Sequence, residues 1–135
     1  MITNEQDRKA LIAYRLKQAN DSIEIVDFLI NNKQLTIAVN RIYYGMYYAL
    51  TALGLQHKFE TSKHSQLIGW FNKEFIKSNK VDSSYGMALR NAFGNRTKGD
   101  YDAFVEFTLQ DVQQMHAEMR DFIIIASKLI SEAQA

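Results

Sequence analysis

Residues 34–54 read QLTIAVNRIYYGMYYALTALG, and the spacing inside this stretch decides the fold. Leu35, Ala38, Ile42, Met46, Ala49 and Leu53 recur at steps of three and four, the period that lines one face of an α-helix. Gly54 follows the last of them and is expected to end the helix in a left-handed cap. The same period extends upstream through Ile12, Leu16, Ala19, Ile23, Val26 and Ile30, with Arg15, Gln18, Asp21, Glu24 and Asp27 between them. That stripe predicts a helix from Thr3–Asn4 to Asn31–Asn32, joined to the next by so few residues that the two form an antiparallel hairpin.

Downstream, His64, Ile68, Phe71 and Phe75 mark a third helix from Thr61–Ser62 to Lys77, and Tyr85, Leu89, Ala92 and Arg96 a fourth over Ser83–Asn95. A last helix over Tyr101–Glu132 carries Val105, Leu109, Val112, His116, Met119, Ile123, Ala126 and Ile130 in step. Phe122, Ile124 and Ile125 fall outside that stripe and need a second burial site, in another helix or another subunit. No proline interrupts the chain and no segment alternates with a strand period. The expected fold is all-α, an up-and-down bundle of four to five helices.

Composition agrees and excludes several classes. With 135 residues, 47% apolar and 23% charged, the chain reads as one globular domain over residues 1–135. The absence of cysteine excludes disulfide scaffolds, thiol nucleophiles and thiolate zinc sites, and fits a cytoplasmic setting. No apolar run is long enough to cross a membrane, and the polar start Met1-Ile2-Thr3-Asn4-Glu5 is followed by no signal peptide. A net charge of +1 supplies no global pull toward nucleic acid, so any such contact is a local patch.

Candidate chemistry is sparse. His57, His64 and His116 lack the helical pairing of a metal site, and no metal or other cofactor is expected. His116 lies on the core stripe and reads as a buried structural histidine. No nucleophile elbow or phosphate loop is present. Asp100 and Asp102 face different ways and read as carboxylates at the start of the last helix, near its positive end.

Two stretches rise above this background. In Asn40–Ala49, four tyrosines fall within little more than two turns; Tyr44 and Tyr48 share a face with Arg41, and Tyr43 and Tyr47 share the next. Such rings pack at the edge of a core, or stack bases beside an arginine. In Leu89–Asp102, Arg90, Arg96 and Lys98 lie in a glycine-containing segment that reads as a helix–helix junction. Arg96 shares its ridge with Leu89 and Ala92, an unusual direction for an idle charge.

In this order, Ala38-Val39-Asn40-Arg41-Ile42-Tyr43-Tyr44, then Lys63-His64, then Arg96-x-x-x-Asp100-Tyr101-Asp102 resemble the HEPN domain (higher eukaryotes and prokaryotes nucleotide-binding). The likeness covers about Arg15 to Phe107 and is nearest the small stand-alone HEPN proteins of bacteria and archaea. It implies a helical bundle, a homodimer, and a nucleotidyltransferase partner in a toxin–antitoxin or stress-response pair. Nuclease members of that superfamily place a histidine four to six residues after an arginine for metal-independent RNA cleavage. Here Tyr101, Asp102 and Ala103 stand at those distances from Arg96, and Asn95, Arg96 and Thr97 at those from Arg90. A tyrosine titrates near 10 and is a poor proton carrier at neutral pH. Ala103 also stands where some paired systems carry a tyrosine that accepts a nucleotide.

The sequence therefore points first to a binding module for nucleotide or RNA and for a nucleotidyltransferase. Its site centres on Arg96, with Asp100, Tyr101, Arg41, Tyr44 and His64, and the Arg96 guanidinium and Tyr101 phenol are expected to converge. The alternative is a metal-independent RNase in which Arg96 works with a non-standard partner such as His64. A third reading is an antitoxin-like structural partner with no ligand. Arg96 also has a purely internal role open to it, an ion pair with Asp100.

Overall fold

A computed structural model describes residues 4–135, and helix accounts for 81% of it, with no strand among the described residues. Five helices follow one another: α1 (Glu5–Asn31), α2 (Leu35–Gln56), α3 (His64–Phe71), α4 (Ser83–Tyr101) and α5 (Leu109–Gln134); α3 runs on into a π turn, Asn72–Ile76. The all-α bundle read from the apolar periods is what forms.

Local chemistry explains most of the starts. The Asn4 side chain accepts from the N–H groups of Gln6 and Asp7, at 2.7 and 3.3 Å, with Glu5 and Asp7 beside the positive end of α1. Thr3, the other residue at which the sequence placed this start, lies outside the described residues with Met1 and Ile2. Asp82 caps α4 through Ser84 N–H, the Ser84 hydroxyl and then its N–H hold the Asp82 carboxyl below its ordinary range, and Thr108 caps α5 through Asp111 N–H. Helix α3 begins at His64 rather than Thr61–Ser62, because Thr61 Oγ1 turns the chain first by accepting from Lys63 N–H at 3.1 Å.

Several ends depart from the expectation, each for a tertiary reason. Helix α2 passes through Gly54 and stops a turn later, where Lys58 takes the left-handed conformation at φ 60°. Phe59 N–H then returns to Gly54 O at 2.8 Å, and a Cβ on Gly54 would stand 2.9 Å from the Phe59 carbonyl. The glycine admits the returning chain instead of capping the helix. Helix α4 likewise continues past Asn95, through Gly94 and Gly99, to Tyr101; Gly99 faces Phe107 and Thr36 at distances that leave little room for a side chain. Helix α5 therefore starts at Leu109, with Val105 in the connection. Asp100 and Asp102 consequently sit at the C-terminal end of α4, not at the start of a helix. Asp102 instead accepts from Phe104 N–H at 2.9 Å in the connecting turn.

Helices α1 and α2 form the expected antiparallel hairpin, and α2 lies at the centre, touching α1, α3, α4 and α5. Ala38, Val39, Ile42, Tyr43, Met46, Ala49, Leu50 and Leu53 bury its inner faces. Gly45 marks the closest approach, where a Cβ would collide with Met119 of α5 and reach Ser22 of α1. His116 is buried and its Nε2–H donates to Ile23 O at 3.0 Å, joining α5 to α1. Phe122 is fully buried, its ring 5.4 Å from Phe71, so α3 supplies the second burial site within one chain. Ile125 packs partly against the core and only Ile124 stays exposed, so this segment does not by itself demand a second subunit. Among the described residues, no helix is long and apolar enough to cross a membrane.

Candidate functional site

The outer half of α2, the start of α3 and the last turns of α4 meet on one side of the bundle. Three ridges read from the sequence arrive there together: Arg41–Tyr44 with Tyr43–Tyr47, His64, and Leu89–Ala92–Arg96 continuing to Asp100. Tyr43 is buried, while Tyr44, Tyr47, His64, Phe93 and Arg96 are half-buried.

Arg96 is the centre of a closed polar circuit. Its Nε lies 2.9 Å from Asp100 Oδ2, an ion pair covered more on the arginine's side than on the aspartate's, and its Nη2 donates to the Tyr44 hydroxyl at 2.8 Å. Asn40 Nδ2 donates to the same Asp100 carboxylate, at 3.2 and 3.3 Å. Arg41 closes the circuit by donating from Nε and Nη2 to Asn40 Oδ1, at 3.0 and 2.7 Å. Both guanidiniums also lie against the Tyr44 ring, with Cζ 5.1 Å (Arg41) and 5.2 Å (Arg96) from its centroid. Arg96 thus meets the carboxylate directly and Arg41 reaches it only through Asn40. Arg96 Nη1 has no partner among the described residues, and guanidinium forks of this kind suit carboxylate and phosphate oxygens.

A second chain of contacts leads from Arg96 to His64. The Arg96 guanidinium lies 5.8 Å from the Tyr43 ring centroid, and the Tyr43 hydroxyl is 2.6 Å from His64 Nδ1. Burial pushes Tyr43 far above the ordinary tyrosine range, with Tyr47 adding to the shift, so its hydroxyl keeps its proton. Burial, then the Arg96 charge, pushes His64 below the ordinary histidine value. The imidazole is therefore neutral at pH 7, with Nδ1 engaged by the Tyr43 hydroxyl. The ring is stacked on Tyr47 at 4.1 Å and 12°.

Arg96, Asp100, Arg41 and Tyr44 are thus assembled as one cluster, and His64 joins it through Tyr43. Tyr101 does not. It ends α4 with 80% of its surface exposed, because one residue beyond Asp100 the helix has turned about 100° away; the phenol that meets Arg96 is that of Tyr44. Asn40, which links Asp100 to Arg41, was not singled out by the sequence reading, although it stands inside the Asn-Arg-x-Tyr-Tyr stretch. Arg90 and Lys98 are exposed and take no part. Among the described residues no group of three or more histidine, aspartate or glutamate side chains converges on a point that could hold a metal.

An all-α bundle with an arginine–aromatic cluster between its second, third and fourth helices is the class that fold and site define. The chain belongs to the HEPN domain family, whose model matches residues 12–129. It is 33% identical over 126 residues to a UPF0332 protein of Thermotoga maritima, covering 93% of this chain and 96% of that protein. It is 34% identical over 100 residues, 74% of this chain and 68% of the relative, to a protein of Methanocaldococcus jannaschii named "Putative toxin MJ0142". A UPF0332 protein of Gloeobacter violaceus is 25% identical over 118 residues, 87% of this chain and 94% of that protein.

Proposed function

We propose that this HEPN chain is a toxin-type binding module that takes an RNA phosphate or a nucleotide at Arg96 and acts as a homodimer beside a nucleotidyltransferase partner. The observation that supports it best is the Arg96 guanidinium, anchored by Asp100 and Tyr44 yet with Nη1 uncommitted. Arg41 adds a second cation, and Tyr44 and Tyr47 offer rings to a base. The toxin type rests on the names of the archaeal relatives. The nucleotidyltransferase partner rests on the resemblance of the three ordered motifs.

A metal-independent RNase remains the second reading, because Arg96, Tyr43 and His64 form a connected line. What weighs against it is that neither Arg96 nor Arg90 is followed by a histidine at four to six residues, the spacing of the nuclease members. The deciding experiment incubates labelled single-stranded RNA with the protein in excess chelator. Binding without cleavage is expected, and Arg96→Ala should lower affinity by at least tenfold. Cleavage abolished by His64→Ala would transfer the assignment to the nuclease. Unchanged binding in Arg96→Ala would remove Arg96 from the site.

A further inference from the structure

The π turn, the exposed glycine before it and Arg90 have no part in the Arg96 cluster. They come together elsewhere. A cleft of about 370 Å³ separates the π turn from α4, and Lys73, Lys77 and Arg90 all line it. Lys73 and Lys77 stand one turn apart on one side, and Arg90 faces them from the other. Among the described residues none of the three has an ion-pair partner, and no carboxylate lines the cleft. Asp82, adjacent in sequence, is engaged by Ser84 N–H.

The backbone is shaped around this cleft. A π turn is rare and costs regular helical hydrogen bonding; here it brings Asn72 and Ile76 against Gly86, where a Cβ would lie 3.0 Å from Asn72 Oδ1. Gly86 is thus explained by packing. Gly69 is not: it lies within α3, lines the cleft, and a Cβ there would meet nothing within 4 Å. A glycine inside an exposed helix costs about 1 kcal/mol relative to alanine, and its remaining use is to let a ligand approach the backbone. In a chain with a net charge of only +1, three unpaired cations around such a point form a strongly biased patch.

We propose that this cleft binds phosphoryl groups, from an RNA strand or a free nucleotide. Lysine point charges, an arginine fork and a side-chain amide are the donor set that phosphate oxygens take. A protein partner would need a far larger face, about 800 Å² a side, with an apolar centre. The cleft is separate from the Arg96 cluster, because Arg90 is six residues before Arg96 and points about 120° away around α4. Its test is therefore independent of the proposal made for Arg96.

The test measures binding of a labelled twelve-residue oligouridylate across a salt series, for the wild type, for Lys73→Gln/Lys77→Gln/Arg90→Gln, and for Arg96→Ala. Removing three phosphate contacts should lower affinity at least tenfold at low salt. It should also flatten the slope of log K against log salt by about 2. The far-UV circular dichroism should be unchanged, since all three side chains are exposed. Arg96→Ala should keep the three-contact part of that slope. Displacement by inorganic triphosphate at matched phosphate concentration assigns the cleft to free phosphates; failure to displace assigns it to a strand. The proposal is overturned if the wild type does not bind the oligomer or the triple variant binds with the same affinity and slope. It is overturned equally if oligoglutamate of equal length binds the cleft as tightly, which would make it a site for acidic protein.

Discussion

His64 shows how far one residue's surroundings set its chemistry. At a helix start it would read as an ordinary surface imidazole, yet it stacks on Tyr47, is hydrogen-bonded to Tyr43 and sits in the field of Arg96. Burial first, and Arg96 second, lower its folded pKa below the value of about 6.5 that it takes in the unfolded chain. Between those two values the unfolded state binds more protons, so stability falls as pH drops below about 6.5 and levels off beneath the folded pKa. Thermal melts from pH 8 to pH 5 should show this loss in the wild type and a shallower one in His64→Gln. Parallel curves would mean that His64 is not the group responsible.

At the scale of the element, helix ends are where sequence and structure part company. Gly54 carries the residue type of a left-handed cap, but the left-handed position is Lys58, two residues past the end of α2. A lysine there bears a steric cost that glycine avoids. Lys58→Gly is therefore expected to raise stability by about 0.5–1 kcal/mol, read as a higher urea midpoint with an unchanged slope. Gly54→Ala should do the opposite, since its Cβ would press on the Phe59 carbonyl, a backbone atom that cannot swing away. A cost of about 1–3 kcal/mol is expected. If Gly54→Ala melts like the wild type, the close return of the chain at Phe59 is wrong.

Across the whole molecule, the apolar surface that the bundle leaves uncovered bears on assembly. The segment Phe122–Ile125, which from the sequence asked for a partner, is mostly satisfied inside one chain by α3. Exposed large side chains also lie along α1 and the start of α2, where Tyr14, Ile25, Phe28 and Ile37 are each about half exposed or more, besides Met87, Tyr101, Phe104, Leu109 and Ile124 elsewhere. Exposed apolar surface of this kind is what isologous pairing covers. Light scattering at tens of micromolar is expected to give twice the 15.6 kDa of one chain, and Phe28→Glu should return it to the single-chain mass. A wild type already at the single-chain mass would remove the homodimer from the proposed function.

What the sequence determined by itself was everything that depends on neighbours a turn away. The stripes from Ile12 to Ile30 and from Leu35 to Leu53 set the helices and the faces they bury, because a period of 3.6 residues is a local property of the backbone. The Arg96–Asp100 pair and the Arg41–Tyr44 contact were legible for the same reason, standing four and three residues apart. The tertiary structure alone decided where α2 and α4 stop, since Phe59 closing on Gly54 and Phe107 on Gly99 come from segments beyond the helix. It alone brought Asn40 to Asp100, Tyr44 to Arg96 and Tyr43 to His64. It also left Tyr101 outside the cluster, because adjacent residues on a helix face different ways and only one of them can meet the packed neighbour.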